Sequence, residues 1–307
     1  MITQISEEEH RLLYRIAQAY YGEGRTQQEI GRVFGLSRPK VSRLLQRARD
    51  VGVVNITLVP PSSGLAPLER ALEIRFGLVE ASIVAVSDPD DPDLVAHELG
   101  PAAAECLLRS VEDDSVIGLA WGRSILALLE ALPAHPLKNA TIVQLNGGLG
   151  PVGDIEHSTE IARQAAQKLQ AHLRLLPAPG IVSSVAAADV LCSDYQISEI
   201  LKLAAASDIA VIGFGVPTSD SGVLGGGGVV TGDDLEGWER AGAVGDVLLR
   251  YMDADGGLVD LAISERVIGI TLDQLARIPR VIAVAGGTAK RRIIRAALQA
   301  GLVDVLV

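Results

Sequence analysis

From Val79 onward the chain repeats one pattern: a short run of apolar, β-prone residues, a helical stretch, then another run. The runs are EASIVAV (80–86), SVIGLAW (115–121), ATIVQL (140–145), DIAVIGF (208–214) and RVIAVAG (280–286). Helical spacing fills the intervals near 93–111, 123–132, 157–172, 195–206 and 288–300. The runs are apolar at successive positions, so each strand needs cover on both faces. A helical crossover returns the chain to the edge of the sheet it left, so the strands run parallel. The pattern predicts an α/β fold with a Rossmann-like sheet between helical layers.

In such a sheet ligands collect beyond the carboxyl ends of the strands, where helix N-termini present unpaired N–H groups. Four segments fall there. GLAWGRS (118–124) turns from strand to helix and offers Arg123 and Ser124 as donors to an anion. QLNGG (144–148) follows the next strand, and GFGVPTSDSGVLGGGG (213–228) is a long glycine-rich loop. AGGTAKRR (285–292) opens the last helix, with Thr288 as its cap and Lys290 in its first turn. An ammonium there opposes the helix dipole unless an anion lies beside it, so Lys290 marks a candidate anion site. No GxGxxG dinucleotide fingerprint or phosphate-binding P-loop occurs, and no cofactor is expected.

The first sixty residues have a different character. They carry nine Lys/Arg against six Asp/Glu, whereas the rest carry 18 against 32, within a net charge of −11. Six bases and no acid lie between Arg32 and Arg49. Leu12, Leu13, Ile16, Ala17 and Tyr20 mark a helix over about 7–22. Thr26 and Glu29 form a capping box opening a second helix, with Ile30, Val33 and Phe34 inward and Gly35 ending it. Ser37 caps a third helix with Val41, Leu44, Leu45 and Ala48 on its inner face. This helix–Gly-Leu-Ser–helix order, after the small residue Gly31, is a helix-turn-helix. VGVVNITL (51–58) reads as a short wing. The expected DNA contacts are Thr26, Gln27, Ser37, Arg38, Lys40, Ser42, Arg43, Gln46 and Arg47: Arg and Gln read base edges and the other groups meet phosphates.

Pro60, Pro61, Ser62, Ser63, Gly64 and Pro67 mark a linker. The expected domains are therefore 1–59, a winged helix-turn-helix, and 60–307, an effector-binding and oligomerisation domain. The start MITQISEEEHR lacks the basic and apolar regions of a secretory signal, and no apolar run suits a membrane helix. Cys106 and Cys192 have no metal-ligand spacing and cannot build a disulfide framework. No metal is expected, and the expected compartment is the reducing cytoplasm.

The chain resembles the SorC family of sugar-binding transcriptional regulators over almost its whole length. RAGAVGDVLLRYMDADGGLVD (240–260) and RVIGITLDQLARIPRVIAVAGGTAKRRIIRAALQAGLVDVLV (266–307) carry the resemblance, with the helix-turn-helix and GLAWGRS. It implies an effector domain similar in fold to ribose-5-phosphate isomerase and glucosamine-6-phosphate deaminase. It also implies sugar, polyol or phosphorylated-sugar effectors, double-stranded operator DNA as partner, and a homo-oligomer, a dimer or tetramer. Carried onto this sequence, the effector contacts are Gly122, Arg123, Ser124, Asn146, Gly147, Gly148, Thr159, Asp246 and Lys290. The expected function is regulation of a carbohydrate catabolic operon, without catalysis. The alternative is a sugar-phosphate isomerase or deaminase fused to a DNA-binding domain, with Asp246 or Glu160 as general base and His157 nearby.

Overall fold

The computed structural model describes residues 6–56, 64–148, 152–216, 237, 238 and 240–307, with 152–157 described by backbone alone. The chain divides into two compact units, Met1–Ser62 and Ser63–Val307.

In the first unit, α1 (Glu7–Ala17) is capped by the Ser6 hydroxyl and runs into a π-helical turn, Gln18–Gly22. α2 (Gln27–Phe34) starts in the expected capping box: the Glu29 carboxylate accepts from the Thr26 N–H at 2.9 Å, and the Glu29 N–H donates to the Thr26 hydroxyl at 3.3 Å. α3 (Arg38–Asp50) follows after Gly35, which is left-handed at φ 67°. Leu13, Ile16, Ile30, Val41, Leu45 and Ala48 form the core. The Leu36 N–H donates to the Gly31 carbonyl at 2.8 Å, and a Cβ at Gly31 would stand 2.5 Å from the Leu36 carbonyl oxygen. The turn between the two helices therefore needs a glycine at 31.

Three expectations for this unit are corrected. Val33 is 62% exposed, because only the Ile30–Phe34 stripe of the two-turn α2 meets α1 and α3. Ser37 holds the N-cap position, but its side chain makes no capping bond. Residues 51–56 form a turn and bends rather than a wing strand: the Gly52 and Val54 N–H groups fold back onto the carbonyls of Arg49 and Ala48, which takes them out of any ladder. Thr57 and Leu58 lie outside the described residues.

The second unit opens with α4 (Ala66–Phe76) and then builds a seven-stranded sheet. Its strands are β1 (Glu80–Ala81), β2 (Val116–Leu119), β3 (Thr141–Gln144), β4 (His172–Arg174), β5 (Ile209–Ile212), β9 (Arg280–Ala283) and β10 (Val305–Leu306). The spatial order is β1-β10-β9-β5-β2-β3-β4, and every neighbouring pair is parallel. Alternate residues serve opposite layers. Ile117, Leu119, Ile209, Val211 and Ile282 pack with α5 (Pro92–Ser110), α6 (Arg123–Ala131) and α7 (Val152–Leu169). Val143, Ala210, Ile212, Val281 and Ala283 pack with α9 (Tyr195–Ala205) and α11 (Arg291–Gln299). The two-sided burial inferred from the apolar runs is thus realised strand by strand.

A second, antiparallel sheet joins β6 (Phe214–Gly215), β7 (Gly245–Val247) and β8 (Arg250–Met252). This sheet, β4, β10, α8 (Val185–Ser193) and the one-turn α10 (Leu272–Leu275) were not expected; two- and three-residue strands are too short to show a period. The run 80–86 pairs only over Glu80–Ala81. Beyond it the Ser87 N–H and hydroxyl are held by Glu98 of α5, at 2.8 and 2.6 Å, which draws the chain off the sheet.

Candidate functional site

The two units carry separate candidate sites. On α3, Arg38, Lys40, Ser42 and Arg43 are fully exposed on the N-terminal half, the half that a groove-reading helix inserts. The C-terminal half is bonded within the unit. Arg47 pairs with Glu9 of α1 at 3.6 Å, and the Gln46 amide bonds Asp50 and Arg49 at 2.8 and 2.7 Å. Thr26 is committed to Glu29, whose carboxyl is held below its usual pKa mainly by the Thr26 N–H and hydroxyl. Gln27 is half-buried and Ser37 exposed. Arg38, Lys40, Ser42 and Arg43 therefore present exposed surface at one end of the helix, Arg43 with its Nε donating to the Pro39 carbonyl at 3.4 Å, while Thr26, Gln46 and Arg47 make bonds that shape the unit.

In the large unit, chain order sets the cleft. β3 and β4 lie on one side of β2, and β5, β9 and β10 on the other. The loops leaving β2 and β5 therefore diverge at a topological switch point, the place where open α/β sheets leave a crevice. Gly122, Arg123 and Ser124 leave β2 and open α6. Asn146, Gly147 and Gly148 leave β3, and Gly287 to Lys290 leave β9 in a tight turn. That turn corrects an expectation. Thr288–Lys290 is a 3-10 turn, because the Thr288 N–H is taken by the Pro89 carbonyl at 2.9 Å, and Lys290 becomes the N-cap of α11. The loop after β5 is described only to Val216; 217–228 lie outside the described residues.

Asp246 comes from β7 and is only 7% exposed. Gly215, its register partner on β6, makes room for it: a Cβ there would stand 2.0 Å from the Asp246 Oδ1. The Leu249 N–H donates to Oδ2 at 2.9 Å. Burial pushes the Asp246 carboxyl up to about 6, against the opposing pull of the Leu249 N–H and of Lys290. Lys290 is half-buried, and burial followed by the Arg123 charge lowers its pKa, while Asp246 raises it. Arg123 also pairs with Asp93 of α5 at 3.2 Å. Lys290 thus feels a repelling charge from Arg123 and an attracting one from the buried Asp246 carboxylate, and an anion between the two cations would relieve the repulsion.

Asn146 is 3% exposed, and its Oδ1 has no hydrogen-bond partner, which leaves a buried acceptor waiting for a donor. The Gly147 carbonyl accepts from the Trp121 indole N–H at 3.0 Å, tying the β2 loop to the β3 loop. Ser124 is buried. Thr159 is half-buried two turns into α7, with no bond to the other residues among the described groups. Glu160 is exposed, and the His157 side chain lies outside the described residues. Sequence reasoning gave no role to Asp93, Gly215, Trp121 or Arg250. Of these only Trp121 left a signal, as a lone aromatic inside the GLAWGRS loop.

The chain matches the family model described as "Putative sugar-binding domain" over residues 61–307, and "Sigma-70, region 4" over residues 4–51. It is 32% identical over 299 residues to Transcriptional regulator LsrR of Klebsiella pneumoniae, covering 94% of this chain and 87% of that protein. It is 30% identical over 303 residues to the Deoxyribonucleoside regulator of Bacillus subtilis, covering 99% and 96%. Among solved structures, the full-length Sorbitol Operon Regulator SorC from Klebsiella pneumoniae superposes with TM-score 0.71 at 28% identity, covering 98% of this chain and 96% of that one. A DeoR family transcriptional regulator from Listeria monocytogenes gives TM-score 0.71 at 32% identity, covering 80% and 96%.

Proposed function

The chain belongs to the SorC family of sugar-binding transcriptional regulators, and on that premise we propose that it controls a carbohydrate catabolic operon from the cytoplasm. Operator DNA is bound through the N-terminal half of α3. A sugar, polyol or, preferentially, a phosphorylated sugar in the cleft of the large unit changes that binding. The observation that carries this reading is the placement of Lys290 near both the Arg123 charge, which lowers its pKa, and the buried Asp246 carboxylate, which raises it. A phosphate satisfies the two cations, Arg123 and Lys290, through charge-assisted hydrogen bonds. The sugar hydroxyls donate to the Asp246 carboxylate and the orphaned Asn146 oxygen. The relatives named above are all regulators, which leaves the isomerase or deaminase alternative without support.

The assembly is a homo-oligomer, a tetramer built from two dimers, since one helix-turn-helix reads only a few base pairs and two-fold pairing extends the site. Light scattering giving a clean monomer at micromolar concentration, with and without DNA, contradicts it. Calorimetry on pentoses, hexoses, polyols and their monophosphates tests the effector. The tightest ligand is expected to carry an anionic group, and one without phosphate or carboxylate overturns the anion assignment.

A further inference from the structure

Arg250 has no role in the reading above, yet the fold half-buries it. It lies on β8, across the hairpin from Val247, and burial lowers the pKa of its guanidinium. Among the described residues no carboxylate pairs with it. Instead it donates to three backbone carbonyls: Nε to Ile270 at 3.2 Å, Nη1 to Ser264 at 3.2 Å and Nη2 to Gly269 at 3.3 Å. A half-buried cation held by carbonyl dipoles rather than by a carboxylate is costly, and a lysine could not reach three acceptors spread over seven residues.

The stretch that Arg250 grips is the one that holds the β3 loop. Ile270 donates to the Leu145 carbonyl at 2.9 Å, Gly147 donates to the Ile268 carbonyl at 3.0 Å, and Gly269 bridges Asn146. The other end of the same hairpin holds Asp246. Its carboxylate accepts from the Leu249 N–H, and Leu248 and Leu249 are both left-handed, at φ 51° and 67°. Two non-glycine residues in that region make a strained two-residue turn. Leu248 packs into the sheet core, while Leu249 packs into a separate cluster with Trp238, Tyr251 and Ile263. The turn is therefore held from both sides.

We infer that Arg250 is a positioning residue: it locks the Asp246 hairpin to the 264–270 segment, so that Asp246 and Asn146, from different walls of the effector cleft, keep one fixed spacing. This rests on the cleft being the effector site, but its first test needs no ligand. In the full-length chain, Arg250→Met is expected to speed hydrogen exchange at the Gly147 and Ile270 amides at least tenfold and to leave β5 and β9 unchanged. In a Trp238→Phe background, Trp121 is the remaining tryptophan, and its emission is expected to shift because its N–H bonds Gly147. Arg250→Lys, which keeps the charge, is expected to show the same local pattern at roughly threefold amplitude and carries the test if the Met variant fails to fold. Unchanged exchange in both variants, or a uniform rise that includes β5 and β9, overturns the inference. Ribose 5-phosphate and glucose 6-phosphate serve as binding probes. If neither binds wild type, the effector reading of the cleft is what fails, and the exchange data still decide the role of Arg250.

Discussion

The two units solve the problem of building a site in opposite ways. The proposed DNA-binding face is local: Arg38, Lys40, Ser42 and Arg43 lie within six residues on one helix, and a three-helix core need only orient that helix. The proposed effector cleft is distributed. Arg123, Asn146, Asp246 and Lys290 span nearly 170 residues: the parallel strands β2, β3 and β9 deliver the loops of three to one edge, and Asp246 comes from antiparallel β7. A local site should lose affinity residue by residue. A distributed one should show coupling, in which each group alters the charge state of the next.

The largest expected effect breaks the local site alone. Arg38→Ala with Arg43→Ala should weaken operator binding by about 2–6 kcal/mol, with a shallower salt slope, if each makes a base or phosphate contact. Gel shifts across a salt series measure this, and effector affinity should not change. Unaltered operator affinity in the double variant would remove α3 from the interface.

Next comes the converse. Lys290→Ala should leave operator binding intact and weaken effector binding by about 1.5–3 kcal/mol, the scale of a hydrogen bond to a charged group. Calorimetry on wild type and variant decides it. A loss of operator binding as well would mean that the two sites are not separable by residue.

A pH series on Asp246 sharpens the contrast. Its carboxyl pKa stands above the ordinary 3.8, at about 6, so ionisation opposes folding. That stability is present below the unfolded value and is lost as pH rises through about 6. Asp246→Asn removes the buried charge and should gain about 1–2 kcal/mol at pH 8 but nothing at acid pH, as read from thermal unfolding at each pH. Effector affinity of the wild type should fall as pH drops below about 6, because only the carboxylate accepts from two hydroxyls. The variant should bind more weakly with a flat profile. A flat profile in the wild type would take Asp246 out of the contact.

The smallest effect separates two residues that look alike in sequence. Thr26→Ala should destabilise the small unit by about 1 kcal/mol, since its hydroxyl completes a capping box. Ser37→Ala should cost much less, because no capping bond is lost. Equal losses in urea unfolding would show that Ser37 caps α3 after all.

Legibility follows the same division. The capping box, the left-handed Gly35 and the inner face of α3 were readable, because each depends on residues a few positions apart. Val33 was misread because which stripe of a short helix is covered depends on the partners it meets. In the large unit the five apolar runs announced a parallel sheet, and the loops leaving β2, β3 and β9 at its carboxyl edge could be named. Their bonding could not be, because it depends on strand order.

Sequence alone therefore determined the kinds of element, their parallel direction and the basic recognition helix, all set by periodicity, capping and local charge. The tertiary structure decided the rest. It placed β5 beside β2 at a topological switch point, made space for the Asp246 carboxylate over Gly215, made Lys290 the cap of α11, and bound Arg250 to carbonyls of the 264–270 segment. The reason is physical: hydrogen bonds and charge interactions between residues a hundred positions apart depend on distance in space, which no local pattern encodes.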